Sequence, residues 1–98
     1  MKATADNVKL VMYLLRIDDD EDVRRVVSHY VDAAEVWLAN AGVKADYENS
    51  LYVDAVALYV GARYDNPAGG ETDGATSLSL NSLTEQLRLT QEGKDGNA

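Results

Sequence analysis

The chain has 98 residues, with nine basic and seventeen acidic side chains, one histidine and no cysteine. This length accommodates one domain, and the lack of cysteine excludes a disulfide scaffold, a thiolate zinc site and a cysteine nucleophile. The formal net charge of -8 opposes binding to nucleic acid backbones and to anionic membrane surfaces, which both attract basic faces. No apolar run has the length of a membrane span or of a signal peptide, so we expect a soluble intracellular protein.

Apolar residues at helical spacing predict the first two helices. The first covers residues 5–15, with apolar positions Val8, Val11, Met12 and Leu15. The second covers residues 20–41, with one apolar stripe formed by Val23, Val26, Val27, Tyr30, Ala33, Ala34, Trp37, Leu38 and Ala41. Asp32 and Glu35 are expected to point away from this stripe, and Gly42 is expected to end the helix.

The acidic run at residues 18–22 indicates the start of the second helix. An aspartate N-cap followed by further acids suits the positive end of the helix dipole. A calcium-binding loop starting at Asp18 would need glycine at its sixth position and glutamate at its twelfth. The chain has Val23 and His29 there, so we interpret the acids as solvated capping residues.

Residues 51–62 are apolar nearly all round, which indicates a third helix enclosed by neighbours on several sides. A buried strand is the alternative, because valine and tyrosine favour sheets, but the length and the alanines favour a helix. We expect Asn49 or Ser50 to cap this helix, and Pro67 to require its end shortly before that residue.

The last third of the chain is predicted to be a loop, a short helix and a tail. Residues 66–77 contain three of the seven glycines and the only proline, so we expect a long loop or hairpin. A fourth helix is predicted from Leu80, Leu83 and Leu87. The sequence therefore predicts an all-α fold, a small bundle of about four helices over residues 1–89, with a flexible C-terminal tail at 90–98.

No catalytic constellation emerges from the sequence. Ser28, His29 and Asp32 suggest a triad, but adjacent residues on one helix diverge by about 100°, so the serine and histidine do not face each other. The glycines of the loop at 66–77 match no phosphate-binding motif and stand beside acids that repel phosphate. We therefore expect no enzyme, no cofactor and no metal site.

Oligomer formation is expected for two reasons. A short first helix and a short last helix are marginal alone, and the apolar third helix needs more cover than they give. Tyrosine is enriched at interfaces, so Tyr47, Tyr52 and Tyr64 are candidates for half-buried interface positions.

Four motifs follow one another in a familiar order. Residues 8–18 (VKLVMYLLRID) resemble a VKxYLRID opening, and residues 33–38 (AAEVWL) resemble an AAxxYL helix end with tryptophan for tyrosine. Residues 64–67 (YDNP) resemble a YxNR element with proline for arginine, and residues 83–88 (LTEQLR) resemble a leucine-rich closing helix. This set is similar to the head–tail connector (adaptor, or head-completion) family of tailed bacteriophages, found in lambda-like siphophages.

The resemblance implies a structural, non-catalytic virion protein that assembles in the host cytoplasm. Copies would form a ring, twelve-fold on the portal protein, that bridges the portal to a stopper or tail-completion protein and completes the DNA exit channel after packaging. The final helix and tail would dock on the portal, through Leu83, Leu87, Arg88 and Leu89.

Ring closure needs a heterologous interface, with two different patches on each copy. We predict that the second and third helices and the end of the third supply these contacts, through Arg24, Arg25, Trp37, Tyr52, Tyr59, Arg63 and Tyr64. The acidic balance predicts carboxylates along a channel through which DNA passes without specific binding.

The alternative is a small acidic phage regulatory or nucleic-acid-associated helical module. Its recognition helix should carry several exposed basic or amide side chains, whereas the second helix offers Arg24 and Arg25 beside five acids. A further alternative is an enzyme subunit or toxin–antitoxin partner whose acidic face meets a basic protein.

Overall fold

The computed structural model describes residues 5–65 and 74–96, with the side chains of residues 6–65 and 78–91. Within those residues the chain forms four helices and no strand. The helices are α1 (Ala5–Leu14), α2 (Glu21–Asn40), α3 (Ser50–Asp65) and α4 (Gly74–Gly96). The predicted all-α fold is confirmed, and α3 is a helix rather than the alternative strand.

Local capping signals set the two ends of α2. Asp20 is the N-cap, and its carboxylate accepts hydrogen bonds from the backbone N–H groups two and three residues further on. At the other end Gly42 takes a φ of +89°, and the N–H of Val43 donates to the carbonyl of Leu38 at 2.9 Å. This is a Schellman motif, in which glycine adopts the left-handed conformation without a Cβ penalty.

The α3 helix is the centre of the fold, because it packs against each of the other three helices. The side chain of Asn49 accepts a hydrogen bond from the N–H of Leu51 at 2.9 Å and so caps its first turn. Residues 41–49, the connector between α2 and α3, also contribute to the core. The core cluster draws on this connector and on all four helices: Val8, Val11, Met12, Val27, Tyr30, Val31, Ala34, Leu38, Val43, Tyr52, Ala55, Val56, Val60, Leu80 and Leu87.

The buried face of α2 differs from the predicted stripe at three positions. Val31, which the predicted stripe omits, has no exposed surface. Val26 is 44% exposed, because it lies about 100° round the helix from Val27 and outside the face that packs on α1 and α3. Glu35 is only 6% exposed, so the prediction that it points away from the apolar stripe is wrong.

The α4 helix is longer than the predicted one. Its backbone includes residues 74–77, which the sequence assigns to the loop, and residues 90–96, which it assigns to the tail. These segments hold glycines but no proline, and glycine weakens a helix without breaking it. The side-chain amide of Gln91 also exchanges two hydrogen bonds with the backbone of Lys44, at 2.8 and 2.9 Å. The rest of the predicted loop, 66–73, and residues 97–98 lie outside the described residues.

Candidate functional site

A buried polar cluster joins α2 to the connector before α3. The Tyr47 hydroxyl donates a hydrogen bond to Oε2 of Glu35. The Tyr47 ring meets the ring of Tyr52 edge to face, with centroids 5.2 Å apart and an interplanar angle of 79°. Because Glu35 belongs to α2 and Tyr52 to α3, this cluster fixes the connector against both helices.

The cluster holds its phenols in the protonated state. Burial, followed by the hydrogen bond to Glu35, raises the pKa of Tyr47 well above the usual value. Burial and the charge of Glu35 raise the pKa of Tyr52 to about 12. Among the described residues, Oε1 of Glu35 and the hydroxyl of Tyr52 have no hydrogen-bond partner and are excluded from solvent. Tyr47 therefore donates one hydrogen bond to the buried carboxylate, whereas the Tyr52 hydroxyl donates none.

Glu35 was predicted to face solvent, although its position in the sequence indicates burial. Glu35 lies four residues after Val31 and three before Leu38, both of which are buried on the same face of α2. A charged residue in the register of an apolar stripe indicates a buried polar contact when a donor lies nearby. The donor, Tyr47, comes from the connector, whose path depends on tertiary packing.

The predicted subunit-contact arginines have different environments. Arg24 pairs with the Asp19 carboxylate, with Nη2 at 2.5 Å and Nε at 3.0 Å from Oδ1. Arg25 is exposed. The guanidinium of Arg63 lies over the Tyr30 ring, 5.7 Å from its centroid, in a cation–π contact.

The predicted aromatic contacts divide into surface and interior positions. Trp37 and Tyr59 are half-buried and pack together across α2 and α3, with centroids 5.9 Å apart. Tyr64 is exposed at the end of α3. Tyr52, by contrast, has no exposed surface, and this corrects its predicted interface role: its ring fills the interior of the chain.

The predicted portal-docking residues likewise include both buried and exposed positions. Leu87 has no exposed surface, because it packs in the core cluster, so it is corrected from a docking residue to a core residue. Leu83 packs against the core from a half-buried position, and Arg88 pairs with Glu85 one turn earlier. Leu89 is 54% exposed and remains accessible to a partner.

An exposed apolar surface follows α1 and continues into a groove. Leu10, Tyr13 and Leu14 are all exposed on α1, and Tyr13 is 80% exposed. Beside them lies the α3 groove, a cavity between α1, α3 and α4. It is lined by the apolar side chains Leu14, Ala57, Leu58 and Leu83 and by the carboxylates Asp54 and Asp65, among others.

A second exposed surface, here called the α2 outer face, comprises Arg25, Val26, His29 and Val36. All four side chains are exposed, and Val36 is 60% exposed. This surface and the α3 groove share no helix, so the chain presents two different exposed patches that each contain apolar side chains.

Searches for a metal site and for a membrane span gave negative results within the part of the chain that the structure describes. There, no three histidine, cysteine, aspartate or glutamate side chains are grouped closely enough to hold a metal ion. None of the helices within these residues has the length and apolar character needed to cross a membrane.

Comparison with known proteins gave no match: no family model, no curated protein and no solved structure is significantly similar to this chain.

Proposed function

We propose that this chain is a structural subunit of a tailed-bacteriophage head–tail connector. In this proposal copies of the chain form a ring on the portal protein and contact a stopper or tail-completion protein on the other side. The ring completes the channel through which genomic DNA leaves the head. The chain then acts in the virion, after assembly in the host cytoplasm, and has no catalytic role.

The observation that carries this proposal is the order of the four motifs along a four-helix unit. The opening motif at residues 8–18 begins in α1, and the AAEVWL motif lies in the second half of α2. The YDNP motif begins at the last turn of α3, and the LTEQLR motif lies in α4. Each motif thus falls on its own helix or helix end, in the order of the resembled family.

The surface chemistry supports the same proposal. Ring closure needs two different patches on each copy, and the α3 groove and the α2 outer face are two such patches. Exposed apolar surface of this kind is typical of protein–protein contacts. The net charge of -8 favours a channel that lets DNA slide, because carboxylates offer phosphates no attractive contact.

Co-expression with the portal protein encoded in the same genome tests the proposal. We expect the chain to co-purify with the portal and to add a ring of density beneath it in electron micrographs. Replacing the exposed Leu89 of α4 by aspartate should weaken this association by about tenfold or more, because a charge would enter an apolar contact.

A matched control is Ser82→Asp, which adds the same charge at another exposed position of α4 and should leave portal binding unchanged. A chain that stays free of the portal would contradict the proposal. A chain that binds duplex DNA at physiological salt would favour the regulatory alternative instead.

A further inference from the structure

We propose that the α2 outer face of one copy docks into the α3 groove of a second copy, with Arg25 pairing with Asp54 or Asp65. This inference rests on the proposed ring and names the two surfaces that would close it. The occupant is a second copy of this chain, because the two surfaces match in charge, apolar character and length.

The α3 groove needs an occupant that is both apolar and cationic. Its apolar lining includes Ala57, Leu58 and Leu83, whereas its polar lining includes the exposed carboxylates Asp54 and Asp65. An apolar segment without a cation would remove water from two carboxylates and leave them without a counter-charge, which is costly. An apolar segment with an arginine covers the groove and neutralises its rim.

Most arginines of the described residues already have contacts within the chain. Arg24 is bonded to Asp19, Arg88 is bonded to Glu85, and Arg63 lies over the ring of Tyr30. These side chains would have to give up an existing contact to enter a groove. The exposed cations that lie beside exposed apolar side chains are Lys9 and Arg16 near α1, and Arg25 on α2.

The choice between α1 and α2 follows from symmetry. Leu14 of α1 itself lines the α3 groove, so α1 and the groove are one continuous surface. If α1 of one copy occupied the groove of another, the same patch would be used twice and a closed two-fold dimer would result. The α2 outer face is a separate patch, so its insertion leaves one copy with a free groove and the other with a free outer face, and the association can propagate round a ring.

The two surfaces also match in length. Arg25 and Val36 are eleven residues apart on α2, which corresponds to about 16 Å along a helix. Asp54 and Asp65 are eleven residues apart on α3 and span the same distance of about 16 Å. An arginine at one end of the outer face can therefore reach an aspartate at one end of the groove while Val26 and Val36 cover apolar lining.

Charge exchange tests this pairing, with the mass of the native full-length assembly as the readout. Arg25→Asp should weaken self-association by about tenfold or more, because reversing one partner of a charge pair adds repulsion at the contact. Asp54→Arg and Asp65→Arg, made separately, should have the same effect for whichever aspartate meets Arg25. Combining Arg25→Asp with that substitution should restore assembly.

Lys44→Asp is the matched control, since it makes the same charge change at an exposed cation between α2 and α3, outside both the α2 outer face and the α3 groove. We expect it to weaken assembly much less than Arg25→Asp does. Circular dichroism of each variant checks that the helices are retained. The mass of the assembly that each variant forms on the portal protein is compared as well.

Two outcomes overturn the inference and leave the proposed connector role in place. One is a ring that tolerates Arg25→Asp as well as it tolerates the control. The other is a groove variant that loses only the portal or stopper protein, which would make that protein the occupant. If the wild-type chain neither self-associates nor binds the portal, both the inference and the proposed function are wrong.

Discussion

The inner face of α2 and the outer face of α1 are both apolar, but only the first is covered by the chain itself. On α2, Val27, Val31 and Leu38 have no exposed surface. On α1, Tyr13 is 80% exposed, and Leu10 and Leu14 beside it are exposed as well. The difference shows that this fold covers one part of its apolar surface internally and leaves another part exposed.

The contrast has a structural cause. The ten-residue α1 helix buries Val8, Val11 and Met12 on one side, and no described helix covers its other side. The α3 helix, which is central, has neighbours on several sides and buries most of its apolar residues. Apolar side chains outside that central arrangement stay largely exposed and so contribute little to the stability of one isolated copy.

The largest expected difference between the two regions is in the free energy of unfolding. Tyr52→Ala should lower it by about 3–5 kcal/mol, because it removes a fully buried ring from the core. Tyr13→Ala should change it by less than about 0.5 kcal/mol in the isolated chain, because that ring is exposed. Urea unfolding of both variants measures the difference.

The matched control for the first substitution is Tyr52→Phe, which keeps the ring. This variant should lower the free energy of unfolding by less than about 1 kcal/mol, because the hydroxyl that it removes has no hydrogen-bond partner among the described residues. Equal losses of unfolding free energy for Tyr52→Ala and Tyr13→Ala would contradict the distinction between covered and exposed apolar surface.

An intermediate effect is expected at the polar cluster, which belongs to the covered region. Tyr47→Phe should destabilise the chain by about 1–3 kcal/mol, because it removes the donor to a buried carboxylate. Adding Glu35→Met, which removes the carboxylate as well, should recover most of that loss. Urea midpoints of the single and double variants check the result, and a double variant less stable than Tyr47→Phe would contradict it.

Effects smaller than those of Tyr52→Ala are expected just beyond the ends of α1 and α2, which share one motif but differ in residue. Gly42, two residues after the end of α2, has a φ of +89°, whereas Arg16, two residues after the end of α1, has a φ of +57°. In both, the next residue donates to the carbonyl five residues earlier, from Val43 at α2 and from Ile17 at α1, each at 2.9 Å.

Removing the glycine after α2 and introducing a glycine after α1 should therefore change the free energy of unfolding in opposite directions. Gly42→Ala should destabilise the chain by about 1–2 kcal/mol, because the left-handed conformation strains a Cβ. Its Cβ would also come within 3.3 Å of the Arg88 side chain. Arg16→Gly should stabilise it by up to about 1 kcal/mol by relieving the same strain. Thermal melts measure both, and a loss of stability for Arg16→Gly would show that the arginine side chain holds a contact.

Local signals made much of the fold predictable. The aspartate at position 20 and the glycine at position 42 act on the backbone within a few residues, so the ends of α2 followed from the sequence. The enclosed position of α3 followed from its apolar residues on all sides. Glycines suggested an early end to α4, but helix propensity is weak, and the contact of Gln91 with Lys44 could not be read from the sequence.

The candidate sites depend on contacts between residues far apart in the chain, and these were less predictable. Glu35 was predicted to face solvent because carboxylates usually lie at the protein surface. Its hydrogen-bond donor, Tyr47, lies twelve residues later in an irregular connector. Asp54, Asp65 and Leu14 line one groove only because α1 packs beside α3. The exposed positions of Arg25 and Leu89 agree with a contact role, which stays a prediction.

The mass of the native particle formed by the purified chain, alone and with its portal protein, tests the central claim most directly. We expect a closed ring of many copies, formed alone or on the portal, in which Tyr13 and the α3 groove become protected from solvent. A single copy at every concentration, unchanged by the portal and with Tyr13 still exposed, would contradict it.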